Sequence, residues 1–430
     1  MKKTFPLPLI VRCSLFIIYC SLLTHAFAQW RQTPLSPERA IYALTATPSA
    51  GASGGILYAG TYGEGVYRST DNGASWTQTV NGLYDYHVNA LLTIGGIVFA
   101  GADNYGIFIS RDSGAHWSQA DSGMPFKTVY AFASDGGNLC AGAFDDESPT
   151  SIGALFLSRD TGRSWSNASA GFPVNTYIYA LAASGGNIFA GVFNSTSTNY
   201  GVYITSDEGA NWLAADSGLP ADAYSVQALA ATNNHVFAGF DGGGVYVTSD
   251  GGAYWTEANN GLTGIYVYAL CAIGSNLFAG TTGGVFLTTD DGNSWRAVND
   301  GLSDSSVYSL CINGGYIFTG TVDSGVYRRP LSDFGISQVI ESHEASPQFS
   351  LLQNYPNPFS STTTISLNAD ASGAASLKIY DALGRQVADL TKQIGNTQIL
   401  FDGSSLPAGV YICHAQAGRT IQQIIMVLMK

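Results

Sequence analysis

From residue 41 to residue 330 the chain is built of short runs that alternate apolar with small or polar residues. Each run is bounded by glycine, a pattern that predicts half-buried β-strands joined by tight turns. One run reads IYALTA (41–46), VNALLT (88–93), VYAFAS (129–134), IYALAA (178–183), VQALAA (226–231), VYALCA (267–272) and VYSLCI (307–312). Its partner reads ILYAGT (56–61), IVFAGA (97–102), NLCAGA (138–143), NIFAGV (187–192), HVFAGF (235–240), NLFAGT (276–281) and YIFTGT (316–321). A third run, such as GVYRST (65–70), GVYVTS (244–249) or GVYRRP (325–330), leads into a turn. The turn itself follows [S/T]-x-D-x-G-x-x-W at 69–76, 110–117, 158–165, 205–212, 248–255 and 288–295, and a fourth strand starts at each Trp. A repeat of about 40–50 residues holding four strands predicts a propeller blade.

The first three strands occur seven times, whereas the turn with its Trp occurs six times. The seventh unit stops at Arg329-Pro330, and the missing strand stands at the other end, in Trp30-Arg31-Gln32-Thr33. All seven Trp residues of the chain then occupy one repeat position. The expected fold class is all-β, a seven-bladed β-propeller over 29–333 whose N-terminal strand closes the last blade and leaves no open seam.

The repeated turn is read as structural. Asp71, Asp112, Asp160, Asp207, Asp250 and Asp290 are placed to accept backbone N–H groups within their turns. Gly73 and its equivalents supply a backbone conformation that a Cβ would penalise. Trp76, Trp117, Trp165, Trp212, Trp255 and Trp295 each bring a large ring to bury between blades. Six carboxylates on six different blades are too scattered to form one catalytic or calcium site. On these turns the segment 29–333 resembles the Asp-box, or BNR, repeat propellers. That family includes sialidases, xyloglucan-cleaving glycosidases, a sorting-receptor domain and a photosystem assembly factor, so the resemblance implies the fold and no particular activity.

Beyond the propeller, 334–348 reads as a linker and 349–430 as a small β-sandwich. In the tail, NYPNPF (354–359), SLKIYDALGRQV (376–387) and LPAGVYICHAQAG (406–418) follow in that order. The tail resembles the C-terminal sorting domain of the type IX secretion system. That resemblance implies a bacterium of the Bacteroidota or their relatives, and passage across both membranes to the cell surface or the medium. It also implies the secretion machinery as a partner. The other end agrees: Lys2 and Lys3, an apolar run and Ala26-Phe27-Ala28 read as a signal peptide over 1–28. No membrane span is expected after its removal.

Composition narrows the function. The net charge is −13 and Lys plus Arg number 18, which excludes the basic face that phosphate backbones require. Cys140, Cys271, Cys311 and Cys413 lack metal or redox spacing and read as buried thiols, with a Cys271–Cys311 bridge as the alternative. His87, His116 and His235 are too dispersed for a metal site. No metal and no cofactor is expected.

Candidate chemistry therefore falls on the loops of the face opposite the repeated turns. Tyr62, Glu64, Asp85, Asp103, Tyr105, Asp145, Phe193 and Asp241 form an aromatic and acidic rim suited to a polysaccharide or a protein partner. A non-catalytic binding module is the expected function. Two alternatives stay open: a glycoside hydrolase drawing two carboxyls from Glu64, Asp85, Asp103, Asp145 and Asp241, and a scaffold that docks a protein. A sialidase is disfavoured, since no R-I-P occurs and Arg68, Arg111 and Arg159 lie beside the turns.

Overall fold

A computed structural model describes residues 29–35, 40–47, 54–125, 128–135, 138–145, 152–173, 176–194, 201–220, 225–232, 234–336, 350–355, 357–368, 375–381, 385–391, 398–417 and 420–430. The leader expected at 1–28 and nearly all of the linker expected at 334–348 lie outside the described residues. The chain divides into two compact units, Met1–Gln338 and Val339–Lys430.

The first unit holds seven four-stranded antiparallel sheets, as the repeat predicts. In blade 1, Ile41–Ala46, Leu57–Thr61, Val66–Ser69 and Thr77–Gln78 pair in chain order from the centre outward. The innermost strands of blades 2 to 7 are Val88–Ile94, Thr128–Asp135, Thr176–Ser184, Val226–Ala231, Val267–Ile273 and Val307–Asn313. Side chains from all seven innermost strands line one axial channel. The last blade is completed from the other end of the chain. Arg31–Gln32 pairs antiparallel with Val326–Pro330, Arg31 opposite Arg328 and Gln32 opposite Tyr327.

Three repeated contacts join neighbouring blades. First, each indole N–H reaches back to the residue that follows the outermost strand of the preceding blade. Trp117 donates to the Thr79 carbonyl at 3.0 Å, Trp165 to Ala120 at 2.8 Å and Trp255 to Ala215 at 2.8 Å. Trp30 donates to the Val298 carbonyl of blade 6 at 2.6 Å, so it acts as the tryptophan of blade 7. Trp76 of blade 1 finds the Thr33 hydroxyl of the closing strand at 3.2 Å. Second, the glycine of each second strand lies against the first residue of the next innermost strand. A Cβ on Gly60, Gly101, Gly191, Gly239 or Gly280 would come within 2.5–2.8 Å of a Val Cγ1, and one on Gly320 within 2.5 Å of Ile41. Only hydrogen fits there, which accounts for the repeated Ala-Gly or Thr-Gly pair. Third, arginines beside the turns cross to the next turn: Arg68 to the Ser113 carbonyl at 2.8 Å, Arg111 to Thr161 at 3.3 Å, and Arg328 to Asn72.

Within each turn the Ser or Thr hydroxyl donates to the aspartate and accepts the glycine N–H. In blade 3, Ser158 Oγ is 2.8 Å from Asp160 Oδ1 and 2.9 Å from Gly162 N, while Asp160 Oδ1 also accepts the Ser164 N–H at 2.9 Å. The residue after the aspartate adopts a left-handed φ, 54–59° at Asn72, Ser113, Thr161, Glu208 and Asp291. Satisfied polar groups hold that conformation where a bare loop would not.

The second unit is two sheets. One orders Ser350–Tyr355, Thr362–Asn368 and Gln398–Asp402; the other orders Gln386–Asp389, Ala375–Asp381, Gly409–Ala417 and Thr420–Leu428. Phe359, Ile365, Ile379, Ile399, Phe401, Tyr411 and Met426 form its buried core. Among the described residues of both units, no helix is long and apolar enough to cross a membrane.

Candidate functional site

The innermost strands decide what faces the channel. In the run V-Y-A-L the first residue is buried in every blade and the third in all but blade 6, and the second and fourth turn to the axis. Position two is also out of register. The pairing to the second strand skips Tyr42, Asn89, Tyr130, Tyr179, Gln227, Tyr268 and Tyr308, one β-bulge in each of the seven blades. A bulge re-aims the unpaired residue and bends its strand. Here it directs seven side chains into the mouth of the channel, five of them phenols and two of them amides.

The mouth is a cavity of about 540 Å³ lined by these seven residues with Tyr62 and Asp103. Beneath it the channel narrows to about 260 Å³, where Leu44, Leu91, Phe132, Leu181, Leu229, Leu270 and Leu310 form an apolar floor. The phenols pack on one another in two arcs. Tyr62, Tyr42, Tyr308 and Tyr268 form one, with successive ring centroids 5.6, 5.5 and 4.7 Å apart. Tyr130 and Tyr179 form the other, 5.3 Å apart, with Phe144 stacked on Tyr130 at 5.2 Å. Asn89 and Gln227 separate the arcs.

Carboxylates follow the amides. The residue two positions after the glycine of each second strand is Tyr62, Asp103, Phe144, Phe193, Asp241, Thr282 or Val322 in blades 1 to 7. Aspartate therefore occurs on blades 2 and 5, the two blades whose bulged residue is an amide. Asn89 Nδ2 donates to Asp103 Oδ1 at a long 3.4 Å. Gln227 Nε2 instead donates to Ser225 Oγ at 2.6 Å. Burial raises the carboxyl pKa of Asp241 above its ordinary value. Burial likewise raises the phenols of Tyr42, Tyr179 and Tyr268, and the nearby carboxylates add to it, Asp103 at Tyr42 and Asp241 at Tyr179 and Tyr268.

The rim residues expected from sequence divide in three. Tyr62 and Asp103 line the mouth, and Asp241 holds on blade 5 the strand position that Asp103 holds on blade 2. Glu64 and Asp85 are engaged in holding their loops. Glu64 accepts the Tyr67 hydroxyl at 2.8 Å, and burial, with this carboxylate adding to it, pushes that phenol up to about 12. Asp85, only 7% exposed, accepts the His87 and Asn104 N–H groups at 2.9 and 3.0 Å. Tyr105 is exposed on the outer rim, and Phe193 lies behind the mouth, 5.9 Å from Tyr177. The side chain of Asp145 lies outside the described residues. Sequence reasoning missed the bulged ring itself. Its signal was the second letter of the innermost run, Y-N-Y-Y-Q-Y-Y across the blades, which reads as ordinary strand alternation until the bulge is seen.

Cys271 and Cys311 carry free thiols, not a bridge, and burial pushes the Cys271 thiol up to about 12. Among the described residues no cluster of His, Cys, Asp or Glu could hold a metal ion.

None of the curated proteins matches the sequence. Among solved structures the chain resembles YCF48 from Cyanidioschyzon merolae, with 14% identity, a TM-score of 0.52, and 71% of this chain against 99% of that one. It resembles the WD40 β-propeller domain of Doa1 at 12% identity and a TM-score of 0.53, covering 70% of this chain and 97% of that one. It also resembles an ancestral GH74 enzyme at 16% identity and a TM-score of 0.54, covering 92% of this chain and 63% of the enzyme. At such identities the likeness shows the fold alone. Family models match in two places: a DUF6242 beta propeller domain over 180–314 and a secretion system C-terminal sorting domain over 353–427. The chain thus joins a β-propeller to a sorting tail that directs a protein to secretion or to the cell surface.

Proposed function

We propose that this is an exported propeller that binds a polysaccharide or protein ligand without transforming it, and that the mouth of its channel is the binding site. One observation carries the reading. In every blade the strand breaks register to present its second residue to the mouth, and seven independent bulges contribute nothing to sheet pairing. Amphipathic rings around a concave cavity suit ligand recognition. The hydroxyl–aspartate–glycine bonds of the turns support reading the repeats as Asp-boxes, with a role confined to the fold. The tail supports delivery by the type IX machinery, in keeping with the leader read at 1–28.

The test is a binding screen of the purified protein against soluble polysaccharides and peptide libraries, with hydrolysis followed in the same wells. A ligand of the mouth should lose about tenfold or more in affinity on Tyr179→Ala or Tyr308→Ala, with the melting temperature retained. Undiminished binding by both variants would place the site elsewhere. Turnover that disappears on Asp103→Asn or Asp241→Asn would replace this reading with the glycoside hydrolase.

A further inference from the structure

The mouth is charged in one sense only. Its lining consists of five phenols, Tyr62, two amides and Asp103, and Asp241, next after the partner of Val226, holds on blade 5 the position that Asp103, next after the partner of Val88, holds on blade 2. No lysine, arginine or histidine contributes to that lining among the described residues. Asp241 is half-buried, and among the described residues no side chain donates a hydrogen bond to it, because the neighbouring Gln227 amide is turned to Ser225. Desolvation without a compensating donor leaves a carboxylate that gains most from a cation. The flanking phenol rings add to this, since a ring face attracts a positive group through its quadrupole. Asp103, with one long contact from Asn89, offers a second anionic point on blade 2. A neutral sugar could stack on the rings but would leave both carboxylates uncompensated. An anionic one would meet like charge in a protein whose net charge is already −13.

We infer that the mouth takes an organic cation, an alkylammonium or guanidinium group seated between Asp241 and the faces of the tyrosine ring. The inference rests on the proposed binding role of the mouth and names the chemical class of its ligand. Such a group is carried by a lysine or arginine side chain of a peptide or by a free amine.

The experiment uses the full chain labelled with ¹³C on its tyrosine rings, titrated by NMR. The probes are tetramethylammonium, a lysine tetrapeptide blocked at both ends, its norleucine counterpart, and cellobiose. Tetramethylammonium and the lysine peptide should shift the resonances of Tyr179, Tyr268 and Tyr308, and the norleucine peptide should bind about tenfold or more weakly. Raising salt to about 1 M should weaken both cations. Asp241→Asn, an isosteric change at a half-buried site, should weaken them about tenfold while the ring spectrum keeps its dispersion. A response to the peptide alone assigns the group to a protein side chain; a response to both admits free amines. Equal binding of the norleucine peptide, or of cellobiose, with no effect of Asp241→Asn overturns the cation and leaves the mouth as a binding site. No shift from any probe overturns the cation as well. The mouth itself fails only if ligands from the screen ignore Tyr179→Ala and Tyr308→Ala.

Discussion

Asp160 shows what one residue does in this fold. Its carboxylate accepts the Ser164 N–H and hydroxyl and the Ser158 hydroxyl, and these bonds bring its pKa down to about 2. Asp112 and Asp207 are brought down to about 2 by the equivalent bonds, and Asp71, Asp250 and Asp290 are lowered as well. A carboxyl depressed in the folded state contributes stability that is complete above its ordinary value of 3.8 and is lost as pH falls through about 2. The melting temperature should therefore fall most steeply between pH 4 and pH 2, roughly. Asp160→Asn should lower it at neutral pH and shrink that acid slope, because the amide bonds without titrating. An unchanged slope would count against the turn as a source of acid sensitivity.

At the scale of the element, the second strand of each blade is tied to the first residue of the next innermost strand through a glycine. Gly239 against Val267 is representative, with an added Cβ 2.6 Å from Val267 Cγ1. Gly239→Ala should cost about 1–3 kcal/mol, as overpacking does in a filled interior, measured by denaturant unfolding. Val267→Ala should restore part of it in the double variant. How far the sequence disclosed these elements differs between fold and site. Strand count, blade order and the closing role of Trp30 were legible because they depend on periodicity, and a sevenfold repeat averages out local ambiguity. The rim was legible in part. Loop position alone points to Asp103, Asp241 and Asp85 alike, and it does not disclose that Asp85 accepts the His87 and Asn104 N–H groups of the neighbouring loops. The ring escaped because a bulge is a matter of register between two strands, and no single strand's alternation encodes it.

At the scale of the whole molecule, the seven blades are alike in strand order but not in sequence position. Blades 1 to 6 are each made of consecutive strands, and blade 7 borrows its outer strand from the beginning of the chain. Removing residues 29–33 would delete the fully buried Trp30, a loss of about 3–5 kcal/mol by analogy with other large core truncations, and would bare the edge of Val326–Pro330. The shortened protein should melt earlier and self-associate on size-exclusion chromatography, and a synthetic peptide of residues 29–35 should reverse both. Failure of the peptide to rescue would count against the strand acting as a separable clasp. The clasp also has a history. Trp30 and the Val298 carbonyl are 268 residues apart, so a chain emerging from its N-terminus must carry that strand unpaired until the last blade has followed it. Completion of the ring is thereby a report that all seven blades have arrived. A chain cut short on the way would keep an open seam by which a protease or chaperone could tell it from a finished one.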